Sequence, residues 1–272
     1  MNEIKRFQIR GVPGEVRRVD FDGRTVDYWL PKGGAERLLI AHDGQNVFDG
    51  HTSTHRYQTW KMAQSAVRVS QDLGIAPPAI IGVWHSGSKQ DEWGRGKDLV
   101  PEKYFRDGIK IYNDFAKILE DLTILRGDEY LRNILDIYVP ALVPGIPTDM
   151  TAMIGSSMGA LATLYAFAQY PDRFTTALAL SPHWPFGALA LVERTIKELP
   201  VSDKYKVWMS HGTKSLDAEY APFQVIADRM MFEKGYTHQN FVSKVYPRSS
   251  HNERSWAKYL DQPMRFWLAS TT

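Results

Sequence analysis

Short apolar runs recur along this chain, most of them separated by stretches long enough for a helix, and no other feature constrains its fold as much. The runs are "RLLIAHD", "AIIGVWH", "DMTAMIGSS", "TTALALSPH" and "YKVWMSHG", and the intervening segments include Lys103 to Leu125 and Ser157 to Gln169. Buried strands that alternate with helices require right-handed crossovers, which cover both faces of a mainly parallel sheet with helices. Ahead of them, "EVRRVDFDGRTVDYWLP" alternates polar and apolar residues on both sides of Asp22-Gly23, the pattern of an antiparallel hairpin with a tight turn. "QNFVSKVYP" adds a last strand and "ERSWAKYLDQPMRFWLA" a last helix. The expectation is an α/β protein whose central sheet has about eight strands.

A chain of 272 residues without an internal repeat, low-complexity tract or linker is read as one domain over 1–272. "YVPALVPGIPTD" reads as a long surface connection, and residues 182–200 as a small cap-like insertion. The 33 basic and 31 acidic residues are well mixed and leave a formal charge of +2, so no field builds up to hold nucleic acid. The absence of cysteine excludes disulfides, thiolate catalysis and thiolate metal sites. The opening "MNEIKRFQIRGVPGEV" has no apolar leader, and no stretch approaches the ~18 to 20 apolar residues that span a bilayer. A soluble, cytoplasmic protein with no membrane partner is expected.

Open parallel sheets place chemistry at the carboxyl ends of their strands. "LLIA" leads into His42-Asp43-Gly44-Gln45-Asn46, "AMI" into Gly155-Ser156-Ser157-Met158-Gly159, "VWMS" into His211-Gly212-Thr213, and "FVSKVY" toward His251. The spacing G-x-S-x-G fits only Gly155, Ser157 and Gly159, so Ser157 is the candidate nucleophile and Ser156 the tolerated neighbour. Such a serine stands at the apex of a sharp strand-to-helix turn, and the flanking glycines let strand and helix approach. The Met158 N–H begins the helix and can donate to an oxyanion.

A serine of this kind needs an acid and then a histidine later in the chain. His251 in "YPRSSHNERSW" lies in a loop between the last strand and last helix, where its ring can reach the elbow. "SHGTKSLDAEYAPFQ" offers Asp217 or Glu219 as the acid, with Asp217 closer to the turn. Trp84, Trp93, Trp184 and Phe186 are candidates for an apolar wall of the substrate pocket.

Together, "AHDGQNVFD", "IGSSMGALATLYAFAQYPDRFTTALALSP", "GTKSLDAEYAP" and "SSHNERSW" resemble the putative-esterase family of the α/β-hydrolases, relatives of S-formylglutathione hydrolase and of feruloyl and enterochelin esterases. The resemblance covers roughly residues 25 to 270. It implies an α/β-hydrolase fold and a serine carboxylesterase acting on small-molecule esters without a cofactor or metal. It also implies Ser157 as nucleophile, His251 as base and Asp217 as acid, with the N–H groups of Gln45 and Met158 in the oxyanion hole. Where many relatives have an Arg and a Glu-Tyr pair after the fourth strand, this chain reads "WGRGKDLVPEKYF".

Three alternatives stay open. An acyltransferase would use the same residues. A metal-dependent hydrolase could use His51 and His55 with His42, Asp43 and Asp49, although "GHTSTHRYQTW" reads as a loop entering a helix at Ser53 or Thr54, which would split the histidine pair. A binding module would keep the fold without activity. The oligomeric state is open, a homo-oligomer included.

Overall fold

The computed structural model describes residues 1–55, 57–112 and 121–269. Among the described residues, nine strands form one sheet in the order β1-β2-β3-β5-β4-β6-β7-β8-β9. They are β1 Asn2–Phe7, β2 Val16–Phe21, β3 Arg24–Trp29, β4 Leu38–Ala41, β5 Ala79–Val83, β6 Thr151–Ser156, β7 Thr176–Leu180, β8 Lys206–His211 and β9 Phe241–Val245. β1, β2 and β3 pair antiparallel, β3 joins β5 antiparallel, and every pairing from β5 to β9 is parallel. The hairpin between β2 and β3 turns at Asp22 and Gly23, both at positive φ (50° and 94°), as a tight twisted turn requires.

β1 is the ninth strand, beyond the eight expected. Its sequence "NEIKRF" is exposed along almost all its length, so it carries neither a buried run nor an alternation that reads as a strand. Charged side chains on such an edge also discourage pairing with another chain.

The helices are α1 Met62–Leu73, α2 Gly94–Leu99, α3 Glu102–Arg106, α4 Gly127–Asn133, α5 Val139–Leu142, α6 Met158–Gln169, α7 Ala188–Glu198, α8 Ala221–Glu233, α9 Glu253–Tyr259 and α10 Asp261–Leu268. The period-2 alternation of the strands sorts them onto two faces. Leu38 and Ile40 of β4 join a cluster with Leu161 and Leu164 of α6, Leu191 of α7 and Ala227 of α8. Leu39 and Ala41 point the other way, into a cluster with Val69 of α1, Trp256 of α9 and Met264 of α10.

Three local expectations change. The helix expected from Lys103 stops at Arg106, because Gly108 takes φ 103° just beyond it; residues 113–120 of that segment lie outside the described residues. "YVPALVPGIPTD" begins helical, because α4 runs on through a π-helical turn at Ile134–Tyr138 into α5, and this widened turn is where Pro140, which lacks an N–H, is accommodated. The last helix is two, α9 and α10, with Pro263 unable to donate to the preceding turn. Residues 182–200 hold a short 3-10 turn, Trp184–Phe186, and α7, whose Leu191, Val192 and Ile196 are buried. Among the described residues no helix is long and apolar enough to cross a membrane.

Candidate active site

Between β6 and α6 the chain reverses through Ser157, whose φ of 56° and ψ of −121° lie outside the usual regions for an L residue. Such backbone costs on the order of 1–3 kcal/mol and persists only where its surroundings enforce it. Here the Ser157 N–H donates to Leu180 C=O in β7 (3.0 Å), while Ser157 C=O accepts from Ala160 and Leu161 in α6. A β-carbon on Gly155 would stand 2.2 Å from the Gly159 carbonyl oxygen, and one on Gly159 would stand 3.2 Å from His42 and Asp43. The two glycines therefore allow strand, helix and the loop after β4 to meet at the serine. Met158 follows at the first position of α6, where a backbone N–H has no intrahelical acceptor.

The parallel pairing of β8 with β9 continues past their ends through a bridge between Lys214 and Ser250 and the bond from Thr213 N–H to Ser249 C=O (3.1 Å). This extension brings the loop of His251 onto the turn that holds Asp217. His251 Nδ1 lies 2.6 Å from Asp217 Oδ1. The other oxygen of Asp217 accepts from Gly212 N–H (2.6 Å) and from Ser181 Oγ (2.9 Å), and Ser181 Oγ in turn accepts from Trp256 Nε1 (3.1 Å). The Asp217 side chain is wholly buried and that of His251 is 9% exposed, whereas Glu219 is exposed. Of the two acids left open by the sequence, Asp217 is the one that meets the histidine.

After β4, the turn Gly44–Asn46 begins behind Asp43 at φ 54°. Gly44 packs on β5 so tightly that a β-carbon there would be 2.2 Å from the Gly82 carbonyl oxygen. The turn's own bonds run from Asn46 N–H to Asp43 C=O and from Val47 N–H to Gly44 C=O, and neither uses the N–H of Gln45. The buried side-chain amide of Gln45 has no partner at either atom. Asp43 is held by a two-pronged pair with Arg95 (2.7 and 2.8 Å), whose positive charge lowers the pKa of the Asp43 carboxyl despite its burial. His42 is buried against the Tyr130 hydroxyl (3.0 Å), and burial pushes its pKa down to about 4.

Ser157, His251, Asp43 and Arg95 line one cleft of about 610 Å³ together with Ser156, His85, Glu253 and Trp256. The four aromatic residues expected to wall it do not line it. Trp184 and Phe186 are completely buried, Trp184 bonded to Gln224 (3.0 Å) and Phe186 edge-on to Phe105. Trp84 lies under the Arg18 guanidinium (4.5 Å), and Trp93 precedes α2. The bulk of Trp184 and Phe186 serves the core, whereas Trp84 and Trp93 are half-buried outside it.

Sequence reading missed a second histidine beside the elbow. His183 Nδ1 lies 2.6 Å from the Tyr220 hydroxyl, which neighbours that of Ser157. Burial, with His251 nearby, pushes the pKa of His183 down to about 4. The only sequence signal was its place directly after the run "TTALALSP".

The residues weighed as metal ligands are engaged separately. Asp49 pairs with Lys5 and Arg18, Asp43 with Arg95, and His55 with Glu253. No helix begins at Ser53 or Thr54; α1 starts at Met62, so His51 and His55 share no helical face. Among the described residues no group of three His, Cys, Asp or Glu side chains could hold a metal ion.

Comparison with known proteins is consistent with this architecture. The sequence matches the Putative esterase family over residues 22–266. No curated protein matches it. Among solved structures, an IroE-like serine hydrolase from Shewanella oneidensis superposes with a TM-score of 0.66 at 17% identity, over 92% of this chain and 78% of that one. The BES protein from Bacillus cereus gives 0.61 at 14%, over 98% of both chains. The enterobactin esterase FES from Shigella flexneri, crystallised in the presence of enterobactin, gives 0.64 at 14%, over 97% of this chain and 61% of that one. The chain thus spans about three fifths of the length of the enterobactin esterases it resembles. With the family match covering nearly all of its length and the sheet order described above, the chain belongs to the Putative esterase family and has the α/β-hydrolase fold.

Proposed function

We propose that the protein hydrolyses carboxylic esters of small molecules through an acyl-enzyme on Ser157. The observation that carries this reading is the 2.6 Å pairing of His251 with buried Asp217 at the cleft that also holds the strained Ser157 elbow. Asp217, anchored by Gly212 and Ser181, accepts the Nδ1–H of His251 and so leaves Nε2 free as the basic nitrogen. His251 Nε2 takes the Ser157 proton as Oγ bonds to the ester carbonyl carbon, and the carbonyl electron pair moves onto oxygen. The N–H groups of Gln45 and Met158 receive that oxyanion. Its collapse breaks the bond to the alcohol oxygen, which leaves with the proton from His251. Water then repeats the sequence on the acyl-enzyme and releases the acid. Side chains and water account for every proton and electron pair.

Rapid mixing of the enzyme with an aryl ester tests the two-step scheme. A burst of phenol equal to the enzyme concentration, followed by slower steady turnover, is the expected result when deacylation is slower. Labelling by a fluorophosphonate must abolish both phases, and turnover that survives stoichiometric labelling contradicts the proposal.

A further inference from the structure

Two of the stretches that carry the family resemblance, "AHDGQNVFD" and "SSHNERSW", contain residues that the proposed mechanism does not use: Asn46, Glu253 and Trp256. The structure brings all three to one turn of α9. Glu253, two residues after His251 and 5% exposed, accepts from Asn46 Nδ2 (3.0 Å) with one carboxylate oxygen and lies 2.7 Å from His55 Nδ1 with the other. Asn46 directly follows Gln45, and its side-chain oxygen accepts from Thr54 N–H (2.8 Å), so its amide is engaged on both sides. Three residues on, Trp256 reaches Ser181 and through it Asp217. Residues three apart lie on one helical face. Asn252 caps the helix by accepting from Ser255 N–H (2.9 Å), which fixes the base of this brace.

We propose that Glu253 is a positioning residue: through Asn46 it locks the turn that presents the Gln45 N–H to the loop that carries His251, so that oxyanion donor and base keep one spacing. The proposal rests on the roles given above to Ser157, His251 and Gln45. Glu253 touches neither the nucleophile nor the developing charge in this account. Its effect is confined to the transition state, where a donor displaced by about 1 Å can cost on the order of a hundredfold in rate. A bond that only steadies the fold would lower stability and leave the turnover of folded enzyme unchanged.

The test compares Glu253→Ala, Glu253→Gln, Asn46→Ala and the Glu253→Ala/Asn46→Ala double variant, with Ser157→Ala alongside. Readouts are kcat and KM for an aryl ester, and the inhibition constant of an aryl trifluoromethyl ketone, whose adduct carries the oxyanion. Glu253→Ala and Asn46→Ala are expected to lose about ten- to a hundredfold in kcat with KM changed less than about twofold, and to bind the ketone more weakly by a similar factor. The double variant is no worse than the worse single one, because both remove the same link. Gln at 253 can still accept from Asn46 and donate to His55, so Glu253→Gln stays within about threefold of wild type. A Glu253→Ala kcat within threefold of wild type, losses that multiply in the double variant, or a Glu253→Gln loss equal to that of Ala overturns the proposal. If Glu253→Ala does not fold, Asn46→Ala and Glu253→Gln carry the test: a full loss in the first with near wild-type turnover in the second supports the brace, and any other pairing overturns it. Persisting activity in Ser157→Ala would instead reject the underlying mechanism, whatever the brace variants do.

Discussion

The α-carbon of Gly155 faces the main chain of Gly159 so closely that a β-carbon would sit 2.2 Å from the Gly159 carbonyl oxygen. At Gly159 the corresponding contacts are side-chain atoms of His42 and Asp43, both at 3.2 Å. The two glycines of the elbow are therefore unequal. Gly155→Ala must push backbone aside and is expected to destabilise by at least the ~1–3 kcal/mol typical of overpacking, whereas Gly159→Ala costs less. Chemical denaturation of the two variants checks the order, and equal losses would contradict it.

The loop after β4 separates backbone from side-chain roles. Gly44→Val places a branched side chain against the Gly82 carbonyl and is expected to lower kcat on the order of 10² to 10³-fold by displacing the Gln45 N–H. Gln45→Ala retains that N–H and removes a buried amide without partners, so it keeps most activity. Steady-state kinetics on both variants decides; a Gln45→Ala loss as large as that of Gly44→Val would show that the side chain matters.

Asp217 and Glu219 differ in a way that kinetics can read. Asp217→Asn keeps the shape but cannot hold His251 in the required tautomer, and a loss on the order of 10⁴ in kcat is expected. Glu219→Gln changes an exposed side chain and should leave kcat near wild type. Comparable losses in both would mean that Asp217 is not the acid.

Much of this was legible because the relevant signals are local. The strand-to-helix elbow is written in Gly155, Ser157 and Gly159, and the βαβ order in apolar runs whose buried faces need no partner to be recognised. Asp217 could not be separated from Glu219, since the choice depends on Gly212, Ser181 and His251 converging from three segments. The aromatic wall failed for a related reason: Trp184 and Phe186 follow a strand end, as pocket residues do, but α7 and α8 cover them. Arg95 was invisible as a cleft residue because its position is set by Asp43, 52 residues away.

Buried His42 and part-buried His183 give the fold a pH dependence of definite sign. Burial lowers the pKa of His42 and of His183 to about 4, below the ~6.5 of an imidazole in the unfolded chain. Above pH ~6.5 both are neutral whether folded or not, and their contribution is fully present. As pH falls toward 4, the unfolded chain binds protons that the folded one refuses, so stability drops. From pH 7.5 to 5.0 the expected loss is about 2 kcal/mol per histidine, and His42→Gln should remove roughly half of the combined drop. Urea denaturation at the two pH values measures it, and a stability that does not change between them would contradict the assignment.

The most direct test of the central claim is to find which atom carries the acyl group. Enzyme quenched during turnover of an aryl ester, and enzyme treated with a fluorophosphonate, should each show one adduct per chain, mapping by peptide mass spectrometry to Ser157 and absent from Ser157→Ala. That variant should also lose several orders of magnitude in kcat while Ser156→Ala keeps both adduct and activity. An adduct on Ser156 or any other residue, or a Ser157→Ala enzyme that turns over nearly as fast as wild type, would contradict the account.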